Sequence, residues 1–334
     1  MKTLVCIDDL EKNTFLPNPA WASLEALNTE LVLLNSSGMN PEAFTECLAE
    51  HRPEILVSAW STPRLPENDV HRVMEHLQLL THLPGSLKEV LPRIYLEKGL
   101  AATNWGTVIS RTVAECALML ILNCLRRTAQ WQLELHTEGT FRKPDIRFLS
   151  LFERRVGIHG FGAIGRELVS LLRPFNVQIS SYSPSVPIEI FEELGVHKCE
   201  TLEELFSGSD VVVELAPNIP KYRHSVTEEL LRMLPDDGVF VNVGRGATVD
   251  EAALIRIAQE GRLQIGLDVY EEEPPPPDSP LRGLKNVCLL PHIGGPTIDR
   301  RQDAGKRAVA FIADWLTGTP PKEVVTVNEY DRAT

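Results

Sequence analysis

The stretch Val156-Gly157-Ile158-His159-Gly160-Phe161-Gly162-Ala163-Ile164-Gly165 decides how this chain is read. Glycines at 160, 162 and 165 make a GxGxxG pattern, which is weak in isolation. Here it follows an apolar run that reads as a strand and opens a segment with Leu168, Leu171 and Leu172 at helical spacing, the context that gives the pattern meaning. Gly160 permits the tight turn, Gly162 lets a pyrophosphate approach the backbone, and Gly165 lets the helix pack closely on the strand. The free amides and the dipole at the helix N-terminus then attract phosphate groups. The stretch predicts a dinucleotide site.

Downstream, candidate strands at 155–159, 177–181, 211–214, 239–243, 264–268 and 287–290 alternate with helices, for instance around Leu254, Ile257 and Ala258. The second strand of such a site ordinarily ends in an acid that grips the adenosine ribose. Here that place holds Ser183, followed by Pro184 and Ser185. An acid would repel a 2′-phosphate and Ser183 does not, yet no Arg or Lys stands within several residues to attract one. NAD and NADP both stay open as cofactors. His159 falls in a buried strand and reads as a hydrogen-bonded core residue.

Upstream, Leu4–Ile7, Leu31–Leu34, Ile55–Val57 and Leu79-Leu80 read as strands. Between them Trp21, Leu24 and Leu27, then Phe44, Cys47 and Leu48, then Val70, Val73, Met74 and Leu77 recur at helical spacing. Continuous apolar strands between amphipathic helices imply a parallel sheet covered on both faces. A long helix is expected at 108–128, with a centre, Ala117 to Leu122, that is apolar all round and so buried on every side, between domains or, the favoured reading, in a subunit contact. A last helix is expected at about 297–316, and the polar tail 319–334 is expected to add nothing to a core.

At 334 residues the chain is long enough for about two domains. Forty-six acidic against thirty-three basic residues leave a net charge of −13, which repels phosphate backbones and anionic membrane surfaces, so neither nucleic acid nor membrane is an expected partner. Cys116–Leu122 is the longest apolar run, far short of the roughly 20 residues that span a bilayer. Met1–Ile7 reads as a short strand rather than a secretory signal. Cysteines at 6, 47, 116, 124, 199 and 288 show no CxxC pair and no zinc spacing. Reduced buried thiols in a cytoplasmic protein without a metal site are the expectation.

Three segments after the later strands carry reactive side chains: Val241-Asn242-Val243-Gly244-Arg245-Gly246, Gly266-Leu267-Asp268-Val269-Tyr270-Glu271-Glu272-Glu273-Pro274, and Leu290-Pro291-His292-Ile293-Gly294-Gly295. Ligands of open α/β sheets bind outside the carboxyl ends of the strands, so all three point to the rim that holds the dinucleotide. Arg245 alone could be a surface residue. Glu271 to Glu273 could be a solvated acidic run, and position rather than composition singles out Glu273. His292 alone could be a turn histidine.

Taken together and in this order, the motifs resemble the D-isomer-specific 2-hydroxyacid dehydrogenase family, which includes phosphoglycerate and glycerate dehydrogenases and glyoxylate/hydroxypyruvate reductases. The likeness is strongest from 154 to 296. It implies two doubly wound parallel-sheet domains: a flavodoxin-like substrate domain, 1–104 with 295–334, and a Rossmann NAD(P)-binding domain, 105–294. It implies hydride transfer between NAD(P)(H) and a 2-oxo acid or D-2-hydroxy acid, with Arg245, Glu273 and His292 catalytic. Arg245 would bind the substrate carboxylate, His292 would exchange the proton, and Glu273 would support the ring. Cofactor contacts would come from Gly160, Gly162, Ala163, Ile164, Gly165, Ser183, Ala216, Pro217, Val243, Arg245, Asp268, His292 and Gly295. Substrate contacts would come from Trp60, Gly85, Ser86 and Arg245. A homodimer formed through the cofactor domain is also implied. The same fold serves as a non-catalytic NAD(H)-sensing scaffold in related corepressors, which is the rival expectation.

Overall fold

In a computed structural model, which describes residues 1–139, 141, 146–319 and 323–332, the chain divides into two compact units, Met1–Ile109 with Pro296–Thr334, and Ser110–Gly295. The first holds five parallel strands: β1 (Lys2–Ile7), β2 (Glu30–Asn35), β3 (Ile55–Ser58), β4 (Leu79–His82) and β5 (Ala101–Thr103). Their order is β2-β1-β3-β4-β5, the flavodoxin-like arrangement. The apolar runs of β1, β3 and β4 are buried throughout, so each feeds two cores. One contains Leu4, Phe44, Leu56, Leu80 and Tyr95. The other contains Val5, Phe15, Val57, Leu79 and Ile312. The helix Arg301–Leu316 brings the chain back to this second core through Ala304, Ala308 and Ile312. Residues 105–109 also belong here: the Trp105 N–H donates to the Pro84 carbonyl at 3.2 Å.

The tail overturns its expectation. Tyr330 is buried in the core with Leu4 and Tyr95, and its hydroxyl donates to the Leu91 carbonyl at 2.7 Å. The Val325 N–H donates to the Ala102 carbonyl at 2.8 Å, against the edge strand β5. A single aromatic in a polar segment has no period to betray it, and its helix, Val327–Arg332, is under two turns long. Tail residues 320–322, 333 and 334 lie outside the described residues.

The second unit holds seven parallel strands: β6 (Arg155–His159), β7 (Gln178–Tyr182), β8 (His197–Lys198), β9 (Val211–Glu214), β10 (Val239–Asn242), β11 (Gln264–Leu267) and β12 (Val287–Leu289). Their order is β12-β11-β10-β9-β6-β7-β8. After β6 the chain builds outward to β8, then returns to β9 and builds the other way. The switch between β6 and β9 is where open α/β sheets form a ligand crevice.

The long helix runs Ser110–Arg126. Its Leu120 and Cys124 lie on Gly266 of β11, where a Cβ would stand 3.2 Å from both. It is not buried on every side within this unit: Glu115 is exposed, Met119 is 40% exposed, and Leu118 and Leu122 are half-buried. An apolar sequence on all faces reports how much burial a helix tolerates, and here one stripe is left open. All six cysteines are unpaired, with Cys6, Cys116, Cys124 and Cys199 buried. Burial pushes the Cys6 and Cys116 thiols up to about 12, which keeps them protonated and inert. Among the described residues no helix is long and apolar enough to cross a membrane.

Candidate active site

The carboxyl ends of the second sheet collect most of the residues singled out above. Gly160 to Gly165 follow β6, Ser183 follows β7, Ala216 and Pro217 follow β9, Val243 and Arg245 follow β10, Asp268 follows β11, and His292 and Gly295 follow β12. Trp60, Gly85 and Ser86 belong to the other unit, where they stand in the loops after β3 and β4.

The turn after β6 fits a pyrophosphate. Gly160 has φ +94°, and a Cβ there would lie 2.8 Å from the Leu215 carbonyl and the Ala216 nitrogen. Gly165 approaches the Gly160 carbonyl so closely that its Cβ would stand at 2.9 Å. Gly162 caps the helix Ala163–Leu172 without any side-chain hydrogen bond, and space for at least 4 Å around a Cβ built on it is open. The first-turn amides, including those of Ala163 and Ile164, therefore face open volume with no acceptor in their own helix.

Ser183 is buried at the end of β7. The neighbouring strand brings in a cation that local sequence could not reveal: Lys198, in register with Ser181, donates from Nζ to the Val186 carbonyl at 3.0 Å. The 183–186 turn thus has an ammonium group beside it and no acid at the ribose position.

Each half of the reactive constellation is locked by backbone. Arg245 leaves β10 between two glycines. A Cβ on Gly244 would meet Leu215 at 3.0 Å, and one on Gly246 would lie 1.9 Å from the Tyr270 carbonyl. The Arg245 carbonyl accepts from Asn242 Nδ2 at 3.0 Å and Thr248 Oγ1 at 2.8 Å. Burial pulls its guanidinium below the ordinary value, and the Glu273 carboxylate opposes that shift. Glu273 accepts the Tyr270 N–H through Oε1 at 3.0 Å and contacts His292 Nδ1 through Oε2 at 2.6 Å. Of its two acidic neighbours, Glu271 is taken by Arg223 and His224, so geometry as well as position distinguishes Glu273.

His292 has φ +54°, in the left-handed region that is uncommon for a residue other than glycine. Asp268 anchors the turn just past His292. Its carboxylate, buried at the end of β11, accepts the Ile293 N–H at 2.7 Å and the Gly294 N–H at 2.8 Å. Expected as a cofactor contact, Asp268 also anchors the histidine turn, a role that no local pattern shows because the partners are 25 and 26 residues away. The His292 side chain is 47% exposed and Glu273 35%. With Nδ1 engaged, Nε2 is the ring atom free to exchange a proton with a ligand.

In the first unit, Trp60 is half exposed, tilted against Phe15 at 5.3 Å and edge-on to Trp105 at 6.3 Å, with the Arg301 guanidinium 4.9 Å from its ring. Gly85 lies under Trp105, whose indole would overlap any Cβ there, and its carbonyl accepts from Asn104 Nδ2 at 2.5 Å. The two loops therefore form one surface at the carboxyl ends of β3 and β4.

A second histidine–carboxylate pair is not visible as a pair in the sequence. His159 and Glu214 end β6 and β9 in register, and Nδ1 lies 2.5 Å from Oε2 with both side chains essentially inaccessible. The strand alone predicts burial of His159; its partner, 55 residues on, has no local signal.

Residues 118–294 match the model of the D-isomer specific 2-hydroxyacid dehydrogenase NAD-binding domain. Glyoxylate/hydroxypyruvate reductase A HPR2 of Arabidopsis thaliana is 35% identical over 252 residues, 72% of this chain and 79% of that one. D-3-phosphoglycerate dehydrogenase of Methanocaldococcus jannaschii is 30% identical over 293 residues, which span 87% of this chain but only 55% of that relative. The structure of an NADPH-dependent glyoxylate/hydroxypyruvate reductase from Sinorhizobium meliloti superposes with a TM-score of 0.74 at 26% identity, covering 99% of both chains. Fold, glycine turn and family match agree: the chain belongs to the D-isomer-specific 2-hydroxyacid dehydrogenases and is an NAD(P)-dependent oxidoreductase acting on the CH–OH group of 2-hydroxy acids.

Proposed function

We propose that the chain interconverts a small 2-oxo acid, of the glyoxylate or hydroxypyruvate kind, with the corresponding D-2-hydroxy acid, using His292, Glu273 and Arg245. The observation that carries this reading is the 2.6 Å contact between His292 Nδ1 and Glu273, on a turn anchored by Asp268. Held by the glycine turn Gly160–Gly165, a reduced nicotinamide dinucleotide would supply the hydride for the 2-oxo carbon. His292 delivers a proton from Nε2 to the carbonyl oxygen, and the neutral ring takes it back in the oxidative direction. Glu273 orients the ring through Nδ1 and offsets the charge of the imidazolium. Arg245 presents a planar fork to the substrate carboxylate and stabilises charge growing on the carbonyl oxygen. Trp60, Gly85 and Ser86 of the first unit are assigned to substrate recognition.

The decisive experiment offers glyoxylate, hydroxypyruvate, pyruvate and bulkier aromatic 2-oxo acids with NADH and with NADPH, and follows loss of nicotinamide absorbance. Turnover of the small acids with either cofactor is expected. Tight NADH binding with no turnover of any acid would instead identify a sensing scaffold.

The open stripe of the helix Ser110–Arg126, with Met119 at its centre, supports a homodimer formed through the cofactor unit. Sedimentation should find dimers of the native chain and monomers of Met119→Asp. The six unpaired thiols support a cytoplasmic setting.

A further inference from the structure

The buried pair His159–Glu214 stands at the switch between β6 and β9, directly beneath the two turns that fit the dinucleotide. Gly160 follows the histidine. Leu215 and Ala216, which abut Gly160, follow the glutamate. Glu214 holds the local backbone. Its Oε1 accepts the Ala216 N–H at 2.8 Å and so fixes the chain against which the glycine turn packs. This bond places a carboxylate with no solvent access at the floor of a site built for an anion. Rings close it in. Tyr222 lies edge-on to His159 at 5.3 Å, and Tyr182, its register partner on β7, lies at 5.8 Å. His159 Nε2 is buried with no hydrogen-bond partner among the described residues, so the ring's hydrogen bonding there goes to the glutamate. The glutamate's charge also reaches Tyr222, whose hydroxyl is pushed up by burial first and then by Tyr182 and Glu214.

We propose that His159 is a positioning counter-charge: it shares a proton with Glu214 and keeps the floor of the cofactor site neutral, so that the carboxylate can hold the Leu215–Ala216 turn without repelling the pyrophosphate. A like charge left beneath an anion is costly because a dry interior screens it poorly. A packing role and a charge role make opposite forecasts for the double variant, since only the second is repaired by removing the carboxylate.

The test measures dissociation constants of NADH and NADPH by fluorescence, and kcat at saturating cofactor, for the native enzyme, His159→Gln, Glu214→Gln and the double variant. His159→Gln should weaken the tighter cofactor at least tenfold while kcat stays within threefold. Glu214→Gln should weaken it by less than threefold. The double variant should return to within threefold of native affinity. Unchanged binding by His159→Gln, or a double variant as weak as His159→Gln, overturns the proposal. Should His159→Gln alone fail to fold, the double variant decides: near-native affinity supports the proposal, and a tenfold loss or failure to fold overturns it. Because binding is read without substrate, the result is independent of which 2-oxo acid the enzyme reduces.

Discussion

Among the histidine–carboxylate pairs on the carboxyl rim of the second sheet, two invite comparison, with contacts of 2.6 Å for His292–Glu273 and 2.5 Å for His159–Glu214. Nothing in bond length or chemistry separates them. Access does: the first pair is about half and a third exposed, the second about 1% and 0%. Their backbones differ as well. His292 sits on a turn in a left-handed conformation tied down by Asp268, whereas His159 is the last residue of a regular strand. A solvent-reachable ring on a fixed turn can hand a proton to a ligand, while a sealed ring in a strand can only balance its neighbour. The same two side chains thus read as catalytic or as supporting according to where the chain puts them.

This contrast can be broken most sharply at His292. His292→Asn should lower kcat by about 10²- to 10⁴-fold and leave cofactor affinity within threefold, the reverse of the pattern expected at His159. If kinetics on purified protein instead gave normal kcat and weakened cofactor binding, the division of roles would be wrong. Arg245→Lys comes next. It keeps the charge but loses the fork, and should cost about 10²- to 10³-fold in kcat/KM measured with hydroxypyruvate or glyoxylate. Ser183→Asp probes the adenosine side, where Lys198 stands beside the 183–186 turn. It should shift the ratio of kcat/KM for NADPH over NADH downward by about tenfold or more, because the new acid faces the 2′-phosphate.

A pH effect sharpens the comparison with a third histidine. His82, bonded to Ser58 and sealed without any carboxylate, is pulled down to about 3 by burial. Its ordinary value is near 6.5, so below that pH the unfolded chain takes up a proton that the folded chain refuses. Stability should therefore fall as pH drops from about 6.5 toward 3, at up to about 1.4 kcal/mol per pH unit from this one group. Urea titrations across that window should give a shallower slope for His82→Gln than for the native chain.

The sheets were legible because their strands carry unbroken apolar runs: Val211–Val213 and Val239–Val241 need no context to read as buried strands. β5 and β8 were not, since three residues and two residues carry no period and owe their conformation to neighbours in register. The same limit explains the site. Gly160, Arg245, Glu273 and His292 are marked by residue type and by their place after a strand. Lys198, the anchoring role of Asp268 and the partner of His159 depend on contacts across 12, 25 and 55 residues, which only the folded sheet supplies. Tyr330 escaped notice for a related reason, as a lone aromatic whose cavity is built mostly by residues more than two hundred positions earlier in the chain.

The close crossing at Gly246 has a practical meaning for anyone redesigning this enzyme. The peptide that carries the guanidinium and the peptide that leads to Glu273 rest main chain on main chain, so a methyl group at 246 would drive them apart at once. Attempts to broaden the substrate range by mutating this neighbourhood will mostly destroy turnover. Libraries are better aimed at the tryptophan-bearing loop after β3, proposed above to recognise substrate, which folds as part of the other unit.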